Sequence, residues 1–518
     1  MKSKPATRSS KPARRFNVAP VTFLLAVWSA LAVWFFSAHG WILYYGDAEA
    51  HLNRARELID SLTPGYNELG TVWLPLLHVL MLPFVRIDAL WRNGIAGAIP
   101  SAICFVLAGS FLFAVVRRVF ESRAAAFAGV ALFALNPNIL YLQSIPMTES
   151  VFFACFMALL YFTVRFRDTQ GWGAVAGAGI AACLATLTRY DAWFLVPFAA
   201  AYFLLTAQRR RFALAFLFCF LACLGPAWWL AHNWWMTGDA LDFYRGPYSA
   251  RAIQRNLPYP GKENWREAFL YYRTAVQLCA GPGLALMSIA GIVVALARRA
   301  FWPVLLLALP GIFYIWSMHS SGGTPIFVPD LPPHSYYNTR YGTAVLPLLA
   351  FVAAALVMAV PDKLRMPMAA LIVLAGSVYW AAHPASSAWV TWEESRRNSE
   401  GRRAWTRDAA AFLQPRYRSG SGIITSFGDI TGIWREMGVP LRQTFTGDNG
   451  IFFDATVARP DFHLHQEWAV CVGGDPVQTA INRAARYGIR YDLLKTIVKD
   501  KEPVIEIYRR IGDQHGIP

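Results

Sequence analysis

The chain has 518 residues, of which 56% are hydrophobic and only 15% charged. Soluble domains carry about 25% charged residues, so the composition excludes an ordinary soluble enzyme and describes a protein that lives in lipid. The net charge of +16 does not call for nucleic acid, because in membrane proteins basic excess collects in loops on the cytoplasmic side.

The opening stretch "MKSKPATRSSKPARRF" holds six basic residues and no acid. The apolar run at 18–38 that follows is long enough to cross a bilayer, and longer than the ~7–15-residue core of a cleaved signal peptide. It reads as an anchor. Further apolar runs lie near 95–116, 124–143, 150–164, 173–188, 192–207, 212–231, 276–297, 302–318, 342–360 and 366–382. About eleven transmembrane helices are expected.

The stretch "TVWLPLLHVLMLPF" at 71–84 is ambiguous, since it contains Pro75, His78 and Pro83. Charge decides its placement. If it does not span, the short loops "RRVFESR", "RFRD", "QRRRF", "ARRAF" and "PDKLR" all share a side with the N-terminal arm. That side then holds eighteen Lys and Arg, against only Glu121, Asp168 and Asp362. The positive-inside rule selects this arrangement. Residues 71–84 are then a re-entrant or amphipathic segment on the outer interface, and regions 39–94, 144–149, 232–275 and 319–341 face outward.

Beyond about residue 384 the sequence turns polar and charged. "GIITSFGD", "EWAVCV" and "PVIEIYRR" read as strands, and "DPVQTAINRAARYGI" as a helix ending near Gly488. The expected organisation is a polytopic α-helical membrane domain, 1–383, followed by an extracytoplasmic α/β domain, 384–518. "DFHLHQE" reads as a surface strand. Its His463, His465 and Glu467 are three potential ligands without a fourth, so no metal site is assigned. Six cysteines lie in apolar runs and only Cys471 in a polar region, which leaves no disulfide framework and no CxxC motif.

The spans as drawn contain no Asp, Glu, Lys or Arg. A proton-coupled transporter usually needs such residues near the midplane. Here they gather at outer helix ends: Asp47 and Glu49 in "YYGDAEAH", Glu149 in "SIPMTES", Arg189 and Asp191 in "LTRYDAWF", and Arg340 in "YYNTRYGTAVLP". Helix capping explains single acids at such places. Carboxylates and arginines converging on one face suit a reaction between a lipid-held substrate and a partner arriving from outside. The outward loop 232–275 adds Arg245, Arg251, Arg255, Lys262, Arg266 and Arg273.

With these motifs in this order, the chain resembles the GT-C superfamily of membrane glycosyltransferases that use polyprenyl-phosphate sugars. It is similar to the branch holding the lipid A aminoarabinose transferase and the protein O-mannosyltransferases. The resemblance covers roughly residues 15–385 and rests on the acidic pair, the interfacial helices, the "MTE" turn, "TRYDAW" and "RYGTAVLP". In the family the first acidic pair is usually adjacent, whereas here Ala48 separates Asp47 from Glu49.

The resemblance implies an inverting transferase in the cytoplasmic (inner) membrane, with a cytoplasmic N-terminus and an outward-facing site. It would move a monosaccharide from a polyprenyl-phosphate donor to a hydroxyl on a glycan, glycolipid or protein. No cofactor and no nucleic acid are implied, and assistance by a divalent metal stays open. The lipid phosphate is a good leaving group, while the acceptor hydroxyl must lose a proton, so a carboxylate base is required. Asp47 is assigned that part, with Glu149 and Glu49 as further catalytic carboxylates. Arg340, Arg189, Asp191, Tyr337, Tyr341 and Lys262 are assigned to substrate binding, Arg340 at the phosphate. The alternatives are a glycan polymerase or ligase, a lipid or sugar flippase, and a non-catalytic envelope assembly protein.

Overall fold

The structure is a computed structural model and describes residues 18–254, 258–320, 323–384, 388–426, 428–500 and 502–511. The basic N-terminal arm and Arg255 lie outside the described residues.

In lipid every backbone N–H and C=O must find a partner within the chain, so long apolar runs become helices. Each of the eleven expected runs is helical over most of its length, and the chain is a multi-pass membrane protein. Among the described residues seven helices are long and apolar enough to cross a membrane, or nine if each of two bent pairs counts as one span. The count of eleven is not reached by this measure, because the helices Trp172–Thr186 and Asp191–Thr206 have only 15 and 16 residues.

The bends have local causes. Residues 124–143 form two helices, Arg123–Ala134 and Pro137–Gln143, set at 67°. Asn136 caps the second by accepting from the backbone N–H of Asn138 at 2.9 Å, and Pro137 follows as its first residue. The expected run 276–297 breaks more sharply. Gly281 and Pro282 separate Trp265–Ala280 from Pro282–Ala297, and the two helices meet at 111°. The ambiguous stretch becomes the helix Leu76–Val85, ten residues long, too short to cross and packed beside the acidic helix Gly46–Glu57.

The tail carries a five-stranded mixed sheet. Its strands are β1 (Ile423–Thr425), β2 (Thr444–Phe445), β3 (Trp468–Val472), β4 (Tyr491–Ile497) and β5 (Ile505–Arg510). Their order is β2-β1-β3-β5-β4, with β1 parallel to both neighbours and β5 antiparallel to both of its own. The three expected strands and the helix Pro476–Ala484 are present; β2 and β4 are additions. "DFHLHQE" is not a strand. Pro460 starts a short helix, Pro460–His463, and the chain then runs irregularly to β3.

The sheet region is not tethered loosely. One buried cluster joins Leu52 and Ala55 of the acidic helix, Leu77 and Met81 of Leu76–Val85, and Trp91 to Trp405, Ile433, Trp434 and Trp468 of the tail. Arg435 donates to the carbonyl of Arg92 at 2.7 Å, and Arg92 donates to that of Glu436 at 3.2 Å. Trp434→Ala removes a fully buried indole from this seam, a change that typically costs ~3–5 kcal/mol. We expect a lowered unfolding midpoint and faster proteolysis between residues 384 and 426, read on detergent-purified protein.

Candidate active site

Four junctions supply the charged groups. Asp47 is the second residue of the helix Gly46–Glu57, which follows extended Tyr45 directly, without the sharp turn a glycine there suggests. Residues four apart share a helix face, so Asp47 and His51 look the same way and Glu49 looks elsewhere. Glu149 sits in the first turn of Thr148–Thr169. The turn before it presses on Gly97, where an added Cβ would stand 2.4 Å from Pro146. Arg189 lies between Trp172–Thr186 and Asp191–Thr206, and Arg340 lies in the 3-10 turn Thr339–Val345. That turn lies against Trp265–Ala280 only because residue 342 is glycine; a Cβ there would meet the Ala275 carbonyl at 2.4 Å.

Arg340 is the hub. It pairs through Nη2 with Asp47, its Nε is 3.4 Å from Glu149 Oε1 and its Nη1 3.6 Å from Glu394 Oε1. Its backbone N–H donates to Glu394 Oε2 at 3.1 Å. The guanidinium also lies 4.9 Å from the Tyr45 ring and 5.1 Å from the Tyr341 ring. Arg189 donates to Thr148 Oγ1 at 2.8 Å and Glu149 Oε1 at 3.2 Å, stands 3.3 Å from Asp191 Oδ2, and donates to the Tyr314 hydroxyl. Tyr314 in turn donates to Asp191 at 3.1 Å. Glu149 therefore bridges two arginines, and Tyr341 contacts both guanidiniums.

Glu149, Asp191, Glu394 and Arg340 are buried, whereas the Asp47 side chain is 46% exposed. Asp47, Glu149, Arg189, Asp191, Arg340 and Tyr341 line a cavity of about 190 Å³. Glu149 Oε2 and Asp191 Oδ1 are buried there without a hydrogen-bond partner. Buried polar atoms are nearly always paired, so these two are placed to accept hydrogen bonds from a ligand. Burial pushes the Asp47 carboxyl upward, but Arg340, His51 and Arg402 outweigh it and hold the group below the usual carboxylate range. Burial pushes Glu394 up despite Arg340.

The remaining expected residues divide. Tyr337 lines an adjoining cavity and accepts from Gln254 at 3.2 Å. Lys262 stands apart from this group, its ammonium 5.8 Å from the Tyr259 ring. Glu49 pairs with Arg402 at 2.7 Å and Arg435 at 2.9 Å, both from the tail. Among the described residues no group of three or more His, Cys, Asp or Glu side chains is arranged to hold a metal ion; Glu467 pairs with Arg509 at 2.8 Å.

Sequence reasoning missed Glu394, Tyr314, Trp73 and the pair His51–His78. The two imidazoles are 2.9 Å apart through His51 Nδ1 and His78 Nε2. Burial drops the His51 pKa to about 4, against the pull of Asp47 and Glu149, so the ring is neutral. His78 Nδ1 is buried without a partner. A bare ring nitrogen tolerates this better than an N–H, because orphaned buried N–H groups are the rarer case. That assigns the proton between the rings to His78 Nε2, and leaves His51 a donor at Nε2. His51 was legible in the sequence, one helical turn after Asp47. Glu394 gave no signal, because "TWEESRRN" reads as the start of the tail.

Comparison with known proteins bears on the fold. A family model described as dolichyl-phosphate-mannose-protein mannosyltransferase matches residues 89–235. The fold is that of ArnT from Cupriavidus metallidurans. The structure of that protein bound to undecaprenyl phosphate superposes with a TM-score of 0.61 at 15% identity, covering 95% of this chain and 98% of the other. Its apo structure gives 0.56 at 14% identity over the same shares. None of the curated proteins compared matches in sequence. The membrane bundle and tail together thus share the fold of ArnT.

The two acids of "DAEA" should behave differently. Removing Glu49 strands two arginines, of which Arg402 is buried, and breaking such a buried pair costs ~3–5 kcal/mol. Asp47→Asn leaves Arg340 with Glu149 and Glu394, and should shift stability by less than ~1 kcal/mol. Denaturant unfolding of Glu49→Gln and Asp47→Asn checks the contrast.

Proposed function

We propose that the chain is an inverting glycosyltransferase that moves a monosaccharide from a polyprenyl-phosphate donor to a hydroxyl acceptor at the outer membrane face. The observation that carries this reading is the Asp47–Arg340 pair at the mouth of the cavity: a half-exposed carboxylate and a buried planar cation, side by side where helices end. The GT-C fold supports it, as does the undecaprenyl phosphate that C. metallidurans ArnT binds.

The site holds two guanidiniums and the carboxylates of Asp47, Glu149, Asp191 and Glu394. A phosphodiester therefore does not enter on net charge. It enters by exchange, taking the fork of Arg340 from Asp47, a geometry that suits bidentate phosphate binding. Asp47, relieved of its cation, becomes more basic. It accepts the proton of the acceptor hydroxyl as that oxygen attacks the anomeric carbon. The bond to the phosphate oxygen breaks on the opposite face, and the lipid phosphate leaves with the electron pair, held by Arg340 and Arg189. Glu149 Oε2 and His51 Nε2 accept from and donate to sugar hydroxyls. Glu49 takes no part in this scheme.

The test is transfer from radiolabelled polyprenyl-phosphate sugars to envelope acceptors by purified protein. Asp47→Asn should fold and bind donor, yet transfer at least about a hundredfold more slowly, the lower bound for loss of a general base. A rate within about threefold of wild type removes Asp47 from that part and moves it to Glu149. Arg340→Lys should weaken donor binding, since an ammonium does not reproduce a bidentate fork; unchanged donor affinity contradicts its assignment.

Orientation has its own test. Ser419 and Arg123 are both exposed and by the basic-loop argument lie on opposite sides. A cysteine replacing Ser419 should react with a membrane-impermeant thiol reagent on intact spheroplasts, and one replacing Arg123 should not. The reverse pattern puts the site on the cytoplasmic face.

A further inference from the structure

Two cavities meet at Asp47. The smaller holds Arg189 and Glu149; the larger, about 410 Å³, lies between the acidic helix, the 337–338 turn, the helix Val390–Asn398 and tail loops that carry Thr431 and Asp448. Asp47, Trp73 and Arg340 wall both. We infer that the larger cavity receives the acceptor and that the acceptor's reacting unit is a neutral sugar. This rests on the transferase reading above.

Position comes first. Arg189 lines only the smaller of these two cavities, so the donor phosphate belongs there. In-line displacement then requires the acceptor oxygen to come from the other side of Asp47, which is the larger cavity. Its volume falls in the ~300–1,000 Å³ range of small-molecule sites.

The lining gives the chemical class. Glu394 and Asp448 offer carboxylates, Glu57 a carboxyl whose pKa burial raises to about 8, and Asn53, Asn338 and Asn398 offer amides. Carboxylate and amide oxygens accept hydrogen bonds, as a polyhydroxyl ligand demands. The Trp73 indole is 36% exposed and is held by a ring contact of 4.4 Å to His51, which makes it a platform for the apolar face of a pyranose.

An anionic acceptor finds the opposite. Besides Arg340, the cation on this wall is Arg54, and it is tied to Glu57 at 3.0 Å and Asp448 at 2.6 Å, with Glu68 at 3.9 Å. A phosphate or uronate would face the carboxylates around it. Because Asp448 belongs to the tail, the tail forms the far wall and reads the acceptor.

The experiment uses the full chain in nanodiscs and saturation-transfer NMR. The probes are the methyl glycosides of glucose, galactose and mannose, each paired with the matching methyl uronide, which differs only by a carboxylate at C6. At least one neutral glycoside should bind, and at least about tenfold better than its uronide. Trp73→Ala should weaken it about three- to tenfold, the size of one lost ring contact, while Trp73→Phe keeps most binding. Asp448→Asn should weaken the neutral sugar and leave binding of undecaprenyl phosphate unchanged. If uronides bind as well as neutral sugars, or no glycoside binds while undecaprenyl phosphate does, the acceptor inference is overturned and the transferase reading stands. If undecaprenyl phosphate does not bind either, both fall.

Discussion

A guanidinium keeps its charge even when buried, and removing that ion from water costs several kcal/mol that only close partners offset. Arg340 meets that requirement with three acids that are remote in sequence: Asp47, Glu149 and Glu394. The acids come from the acidic helix after the first span, from the first turn of Thr148–Thr169, and from Val390–Asn398. One cation thereby fixes how three segments and its own 3-10 turn approach one another. Arg189 repeats the device a short distance away and shares Glu149 with it. The glycines at 97 and 342 belong to the same constraint, since each permits a backbone approach that any side chain would block.

The partners of Arg340 are not equivalent, and the proposed mechanism uses that inequality. Glu149 and Glu394 are buried, so they hold the cation permanently. Asp47 is half open to the cavity and is the partner that can be exchanged for a ligand anion. In the proposed mechanism the same residue is the counter-ion of Arg340 and becomes a stronger base once a ligand anion takes the guanidinium. Its proton affinity, depressed beside Arg340, keeps it ionised through neutral pH; the pairing is complete above the ordinary carboxylate value near ~3.9 and is lost only as pH falls through the still lower value of the folded state. The acid two residues on is locked by Arg402 and Arg435 and serves to seat the tail.

Helical content and the placement of charges were legible in sequence because both follow from solvent. Apolar runs must satisfy their backbones internally, and Asp47, Glu149, Arg189 and Arg340 stand out against a charge-poor background. Span limits were less legible. Asn136–Pro137 and Gly281–Pro282 bend helices whose composition reads as continuous. Within the site, the different surroundings of the two acids were legible: a helical spacing of two residues turns Glu49 away from Asp47, while a spacing of four adds His51. Glu394 and Asp448 were not legible. Their parts depend on the tail folding back onto the acidic helix, a long-range contact that no local pattern encodes. β4 was missed for a related reason, since "YDLLKTI" is mostly exposed and lacks inward–outward alternation.

The central claim is that ligand binding takes Arg340 from Asp47 and so makes Asp47 the base. The pH dependence of transfer measures it directly, because kcat/KM reports groups of the free enzyme and kcat those of the bound complex. The account predicts that the acid limb of kcat lies about one pH unit or more above that of kcat/KM, and that Asp47→Asn abolishes it. Coincident limbs, or a limb that survives in Asp47→Asn, would contradict the exchange.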